Sequence, residues 1–512
     1  MGLLHGRDEA DRGSKVDPAA PRVRSRSTQV AWLSAGQSGA VLANIILFAM
    51  ASRIYAKADY ATLRQVFLVF DVAAPAMGLG VSAALYHLLP KEPGIRGSLV
   101  SSGVGVLLVS GALLGGLANV LSSMIARLFS NPQLESVLPW LLPYAPLVLA
   151  ANAASSVFVS AGRSGTMAIA SIGIGLLPAA ASVVVMMLGA DVGVAVGTRA
   201  ACCAVVAGVV ITWMICTYPS GSRRPTLGGV RSLLHVGLPL AAASVFGSVA
   251  IQVHGLVVAT ECTPEQYAVY VNGAFEVPVI GIITGAITSV VMAGMSASCH
   301  AGRRDEALSL FHLAAIRSAS VLLPAFAFLE FFASELIEVL YSSAYAASVV
   351  PFRIMLLTLP CRIVVYGAAL IALGMSRAIL IRSMVDLVLS TGVAFVLVRV
   401  LGPNGGAAAL VITLLAWTVP FNLRAIARGF GVTWSACLPL SRIGAILSIS
   451  VLLAAMAKGI MVTVGLPPLP RLLAGAALVG PVAVWVMTRR GDLVLPGRLG
   501  IATLQAWRRP AS

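Results

Sequence analysis

Apolar residues in this chain run in long windows that do not alternate with polar ones, and each window ends in a short polar break. A window of about 20 residues is the length at which a helix spans the hydrocarbon core of a bilayer, whereas the strands of a closed barrel would alternate. The pattern predicts an all-α polytopic membrane protein with about fourteen transmembrane helices. Six are expected near 29 to 50, 64 to 88, 98 to 123, 137 to 159, 167 to 188 and 193 to 216. Six more follow near 233 to 257, 267 to 296, 309 to 332, 348 to 373, 380 to 400 and 407 to 427, with a last pair near 443 to 464 and 471 to 488.

The two sets of six resemble each other. At an offset of 212, Ser136, Val137 and Pro139 match Ser348, Val349 and Pro351, and Gly162 and Ser164 match Gly374 and Ser376. At 213, Leu188 and Gly189 meet Leu401 and Gly402, and at 207 Tyr60 and Ala61 meet Tyr267 and Ala268. Six spans followed by six of like orientation form a parallel repeat, with a site expected between the lobes. The expected organisation is a basic tail over 1–28, an N-lobe over 29–217, a linker over 218–232, a C-lobe over 233–428, a helix pair over 429–490 and a tail over 491–512.

Composition agrees with a membrane span count of this order. Of the 512 residues, 58% are apolar and 11% charged, where soluble domains carry roughly 25% charged residues. The net charge of +16 would suit nucleic acid if it were clustered on a folded face. Instead, 24 of the 35 Lys and Arg residues fall on one side of the predicted spans and only Arg53, Lys57, Arg127, Arg399 and Arg471 on the other. That bias places both termini in the cytoplasm and accounts for the basic charge through anionic headgroups, so no nucleic-acid partner is expected. The seven cysteines, with Cys202 and Cys203 adjacent, show no disulfide framework or metal-ligand spacing, and neither metal nor cofactor is expected.

Ionisable residues inside spans are the candidates for function, because each is costly in hydrocarbon unless it faces protein or water. Asp71 lies seven residues beyond Arg64, about 10.5 Å along the same stripe of the second span. Pro75 leaves the carbonyl of residue 71 without its helical donor, which predicts a kink at the carboxylate. Glu276, two residues before Pro278, is its counterpart in the eighth span, and His254 sits in the seventh. These three are candidates for proton or ion coupling. Arg317 and Arg362 lie within the ninth and tenth spans, and a guanidinium donates paired hydrogen bonds to phosphate oxygens. Arg353 and Arg362 are half a turn out of phase, so one helix face cannot present both. Gln37 and Asn44 share a side of the first span, where such amides either bond sugar hydroxyls or, more commonly, join helices. Arg199 and Lys458, near predicted outer ends, are expected to snorkel, and Arg382 and Asp386 to pair at i to i+4. The glycines at 111, 115, 173 and 175 are expected to permit close helix packing.

The run Gly237 to Tyr267, GLPLAAASVFGSVAIQVHGLVVATECTPEQY, resembles the seventh span and following loop of polysaccharide flippases of the multidrug/oligosaccharidyl-lipid/polysaccharide exporter superfamily. Glu338 to Leu356 resembles the stretch before that family's tenth span, and Ala369 to Ile412 its tenth to twelfth spans. The resemblance covers roughly 29 to 490 and implies two six-helix bundles that open alternately to each side. It implies translocation of a polyprenyl-diphosphate-linked oligosaccharide across the bacterial cytoplasmic membrane, for cell-surface or extracellular polysaccharide. The implied partners are that lipid-linked glycan, membrane lipids, and polysaccharide polymerase and export proteins. Arg64, Arg317, Arg362, Gln37 and Asn44, singled out by their place within the spans, are the candidates for binding such a substrate. His254 and Gly255 stand where many relatives carry an acid followed by Arg. The alternatives within the superfamily are a peptidoglycan-precursor flippase, whose cavity arginines in the first and eighth spans are absent here, and a cation-coupled multidrug exporter, whose carboxylates in the first or seventh span are also absent. A membrane glycosyltransferase, polymerase or ligase would be expected to need acidic catalytic residues or a large outer segment, but every outer loop is shorter than about 15 residues. An enzyme is therefore not expected.

Overall fold

A computed structural model describes residues 26–218, 222–275, 291–292 and 294–493. Among the described residues every regular element is helical. Among the described residues, ten helical stretches are long and apolar enough to cross a membrane, and twelve if two bent pairs each count as one span. The protein is a multi-pass membrane protein. The count of fourteen is not reached among these residues, where the first expected span contributes only the shorter apolar stretch Ser38–Ile54 and the eighth continues into 276–290, outside them.

Short turns aside, the first half comprises α1 (Arg26–Ile54), α2 (Lys57–Met77), α3 (Val81–Lys91), α4 (Arg96–Val120), α5 (Leu141–Asn152), α6 (Ala154–Ser160), α7 (Ser164–Met187) and α8 (Val192–Ile215). The second comprises α9 (Leu227–Glu261), α10 (Pro264–Gly273), α11 (Arg304–Phe331), α12 (Ala333–Tyr341), α13 (Val349–Leu356), α14 (Tyr366–Ala372), α15 (Ser376–Leu401), α16 (Pro403–Thr413) and α17 (Val419–Phe430). The final pair is α18 (Leu440–Val464) and α19 (Pro468–Arg489). Thr226 caps α9 by accepting from the Gly229 amide, so helix begins at Leu227.

The internal repeat has a backbone counterpart. Gly162 and Gly374 both take a φ of +71° and stop one helix just before Ser164 and Ser376 start the next, a turn open to glycine because it has no Cβ. In both halves a long helix is bent. α2 and α3 meet at 41°, and α9 bends by 47° between Ala242 and Val245. The bend expected at Asp71 lies elsewhere, because α2 continues through Pro75 and ends at Met77. The break is made by Leu79 and Gly80, whose φ values of +48° and +65° leave the helical region altogether.

Small residues bring the spans together without large side chains. A Cβ on Gly111 would lie 2.4 Å from the Pro146 Cα, and one on Gly115 2.5 Å from the Leu142 Cα, so α4 and α5 touch through backbone. The last pair is tied on by charge. Buried Glu335 at the start of α12 accepts from Lys458 of α18 and, at 3.2 Å, from Arg471 of α19. Lys458 therefore does not snorkel, because a buried carboxylate within reach offers more than a headgroup does.

Candidate functional site

The two halves meet where α2, α3 and α4 face α9 and α10. Between them lies a cavity of about 400 Å³ lined by α2, α9, α10, α13 and the turn at Pro360–Ile363, with Phe48 of α1 at its edge. The halves are bridged on both sides of it.

At one end Tyr60 of α2, fully buried, donates its hydroxyl to the Asn272 side-chain oxygen on α10. Thr263 and Gln266 form a capping box that starts α10, with Pro264 in its first turn, and this fixes the helix that presents Asn272. The edge of Tyr345 packs on Tyr60 at 5.8 Å, and Lys57 lies over the Tyr345 ring. Arg53 at the end of α1 donates to the carbonyls of Glu338 (3.1 Å) and Val339 (2.6 Å) on α12. At the other end the contact is backbone on backbone. A Cβ on Gly80 would stand 2.1 Å from the Gly237 carbonyl oxygen, so α9 rests directly on the α2–α3 break. Beyond it the Thr226 amide donates to the Ser102 hydroxyl (3.0 Å), and the Thr226 and Ser98 hydroxyls lie 3.0 Å apart.

Several of the residues expected to matter line this one cavity. Arg64 lies with its guanidinium 4.0 Å from the Phe48 ring centre, and Asp71 of the same helix is exposed and lines the cavity. No hydrogen bond or ion pair joins them among the described residues. His254 of α9 lines the same space, is 1% exposed, and has neither ring nitrogen bonded. The Ile251 backbone, one turn back, lies near the ring without hydrogen-bond geometry. Arg362 completes the lining from the opposite side, whereas Arg353 turns away to Glu330 at 3.7 Å.

Other candidates lie elsewhere. Arg317 is half-buried on α11 and does not line the cavity. Asn44 lines a separate cavity inside the first half, where it accepts from Arg199 at 2.9 Å. Glu276 and the Gln37 side chain lie outside the described residues. Arg382 pairs with Asp386 at 3.3 Å, with Thr418 donating to the same carboxylate. Tyr267, Tyr270 and Gln252 also line the central cavity and carry no signal in hydropathy, although the repeat already paired Tyr267 with Tyr60. Arg199, expected to snorkel, is 7% exposed and stacked 4.7 Å from the Phe67 ring centre.

A sequence profile described as polysaccharide biosynthesis protein matches residues 50–350, more than half of the chain. The chain belongs to this family. Comparison with curated protein sequences finds no match. Among solved structures, the chain is similar to a lipid II flippase, MurJ, in an inward closed conformation, at 14% identity and a TM-score of 0.66 over 90% of this chain and 98% of that one. It is also similar to a transporter of the MOP superfamily from Pyrococcus furiosus, at 18% identity and 0.54 over 82% and 95%. An outward-facing multidrug resistance MATE family transporter superposes at 20% identity and 0.52, also over 82% and 95%. At these identities the likeness is one of fold, and the fold is that of this superfamily's transporters.

Proposed function

We propose that this member of the polysaccharide biosynthesis family is a flippase that carries a polyprenyl-diphosphate-linked oligosaccharide across the bacterial cytoplasmic membrane. The observation that carries this reading is the cavity between the halves, bridged at both ends and holding Arg64 and Arg362 within an apolar frame. Guanidinium groups in a water-poor space bind phosphate oxygens far better than they would in bulk water. Arg64 and Arg362 hold the diphosphate, tyrosine and glutamine side chains meet the sugars, and the polyprenyl tail stays in lipid. The charge bias assigns the Tyr60 end to the outside and the Gly80 end to the cytoplasm, with both termini cytoplasmic.

The headgroup crosses by alternate opening of the two ends. At about 400 Å³ the closed cavity is near the lower end of the range for ligand sites, roughly 300–1,000 Å³, so a multi-sugar unit requires the halves to part. Asp71 and His254, which face the same space, supply proton exchange that biases the direction, since equal affinity on the two sides moves nothing net. Polysaccharide polymerase and export proteins are the partners that would consume the product.

A second reading, carriage of a peptidoglycan precursor, is favoured by the higher TM-score of the lipid II flippase. Both cargoes share the diphosphate lipid, so the two readings differ in the headgroup beyond the diphosphate, a plain oligosaccharide in one and a peptide-bearing sugar in the other. The test is the purified protein in sealed vesicles loaded with a fluorescent polyprenyl-diphosphate oligosaccharide or with lipid II, read by the headgroup's accessibility to an external enzyme. Protein-dependent movement of the oligosaccharide lipid is expected. Movement of lipid II alone selects the second reading, and movement of neither overturns both.

A further inference from the structure

A side chamber of about 460 Å³ adjoins the central cavity inside the second half, and Thr358, Arg362 and Leu410 line both. The two spaces meet across those three side chains. In the first half, the cavity of about 570 Å³ beside Asn44 shares no lining residue with the central one.

The difference begins in the backbone. At the offset of 212 that relates the fourth and tenth spans, 357–365 corresponds to 145–153, where α5 stays helical through Asn152. The tenth span breaks there. Between α13 and α14 the turn Pro360–Ile363 is followed by Val364 in extended backbone (φ −99°, ψ 124°) and by an inverse γ-turn at Val365, in which the Tyr366 amide donates to the Val364 carbonyl at 3.0 Å. Leu414 and Thr418, of the π-helical turn that joins α16 to α17, line the same chamber. Irregular backbone at membrane depth persists where it lines a wet space, and broken spans and π-helical turns recur at transport sites.

Beyond Arg362 the wall is polar with little net charge. Arg382, which lines it, is met by Asp386 at 3.3 Å, and Thr418 donates to that same carboxylate. The half-buried Tyr366 side chain lines it too, and its hydroxyl has no hydrogen bond among the described residues. A second phosphate would find Arg382 already neutralised, and a prenyl chain would leave hydroxyl and guanidinium groups against hydrocarbon. Sugar hydroxyls both donate and accept, which suits this wall.

We propose that the side chamber is a sugar subsite: with the diphosphate at Arg362, part of the cargo glycan seats among Tyr366, Gly367, Arg382 and Thr418. This rests on the flippase reading and adds to it a place where the glycan is recognised. Gly367 gives the means to test it, because a Cβ there would meet no atom within 4 Å, so a larger side chain grows into open space.

The test uses the full chain in nanodiscs of neutral lipid and measures equilibrium binding of two ligands, a polyprenyl-diphosphate oligosaccharide and the same polyprenyl diphosphate without sugar. The wild type should prefer the glycan lipid by about tenfold, the scale of two neutral hydrogen bonds. In Gly367→Phe the preference should fall below about twofold, with Gly367→Ala between the two. If Gly367→Phe cannot be purified, Tyr366→Phe carries the test, and its preference should fall about threefold. An unchanged preference in the variant measured overturns the proposal, as does equal weakening of both ligands in Gly367→Phe, which would give the chamber to the diphosphate or the prenyl chain. Equal binding of both ligands by the wild type overturns the subsite and leaves the flippase reading standing. Binding of neither overturns both.

Discussion

The two ends of the central cavity are closed by different means. The Tyr60 end is built from side chains that reach across, a phenol on an amide, an aromatic edge, and an arginine on two carbonyls. The Gly80 end is built from backbone pressed on backbone, with two hydroxyl contacts behind it. A side-chain bridge loosens by degrees, since one partner can be trimmed while the rest hold. A backbone contact has no such reserve, because any added atom falls inside the neighbour's radius. The Gly80 end is therefore the less forgiving of the two, and substitutions there should act on the conformational balance more than on cargo affinity.

The largest effect is expected from Gly80→Val. Its Cβ would meet the Gly237 carbonyl oxygen, and its backbone sits at a φ of +65° that a β-branched residue resists. A penalty of about 3 kcal/mol shifts the closed population by more than about 100-fold. Transport should collapse while cysteine labelling at position 98 rises. Next is Tyr60→Phe, which leaves the buried Asn272 oxygen unbonded at a cost of about 1–3 kcal/mol. Labelling near Asn272 should rise roughly tenfold, and the double variant with Asn272→Leu should recover most of the wild-type value, because no orphaned group remains. Recovery of Gly80→Val by any single side-chain change would erase the contrast between the ends.

Two smaller effects sharpen the contrast by leaving both closures alone. Arg362→Glu should weaken binding of a diphosphate lipid about tenfold, the scale of one charged hydrogen bond. Arg317→Glu, outside the cavity, should not change it, and equal losses would show that net charge rather than placement governs binding. Asp71→Asn should slow translocation several-fold at unchanged protein abundance, more so combined with Glu276→Gln, and unchanged rates would remove the carboxylates from coupling.

Much of the fold was legible in the amino-acid order, because hydrocarbon imposes a length and an apolar character that can be read window by window. The repeat was legible too. The glycines at 162 and 374 recur because the same turn needs the same missing Cβ, and they end at the same φ. Arg64 and Asp71, seven residues apart, could be placed on one stripe, and both open onto the cavity. What hydropathy could not reveal is which partner a polar group finds across helices. Arg199 and Lys458 sit at depths suited to snorkelling, and only the packing shows Asn44 and Phe67 beside one and Glu335 beside the other. An amide within a span can meet a sugar or join helices, and only the packing shows Asn44 bonded to Arg199. The Gly80 and Gly237 contact was hidden because glycine in an apolar span looks alike whether or not another backbone rests on it. Pro75 misled in the opposite sense, since helix α2 absorbs it and breaks at Leu79 and Gly80 instead.

The central claim is that cargo passes between halves that must separate at the Gly80 end. Ser98 and Thr226, whose hydroxyls are 3.0 Å apart across that end, can be replaced by cysteines on a background lacking the seven native ones. At that spacing the new thiols can form a disulfide. In vesicles loaded with a polyprenyl-diphosphate oligosaccharide, the oxidised pair should halt translocation, and a reductant should restore it to the rate of the single-cysteine controls. Undiminished translocation by the fully oxidised protein would contradict the account.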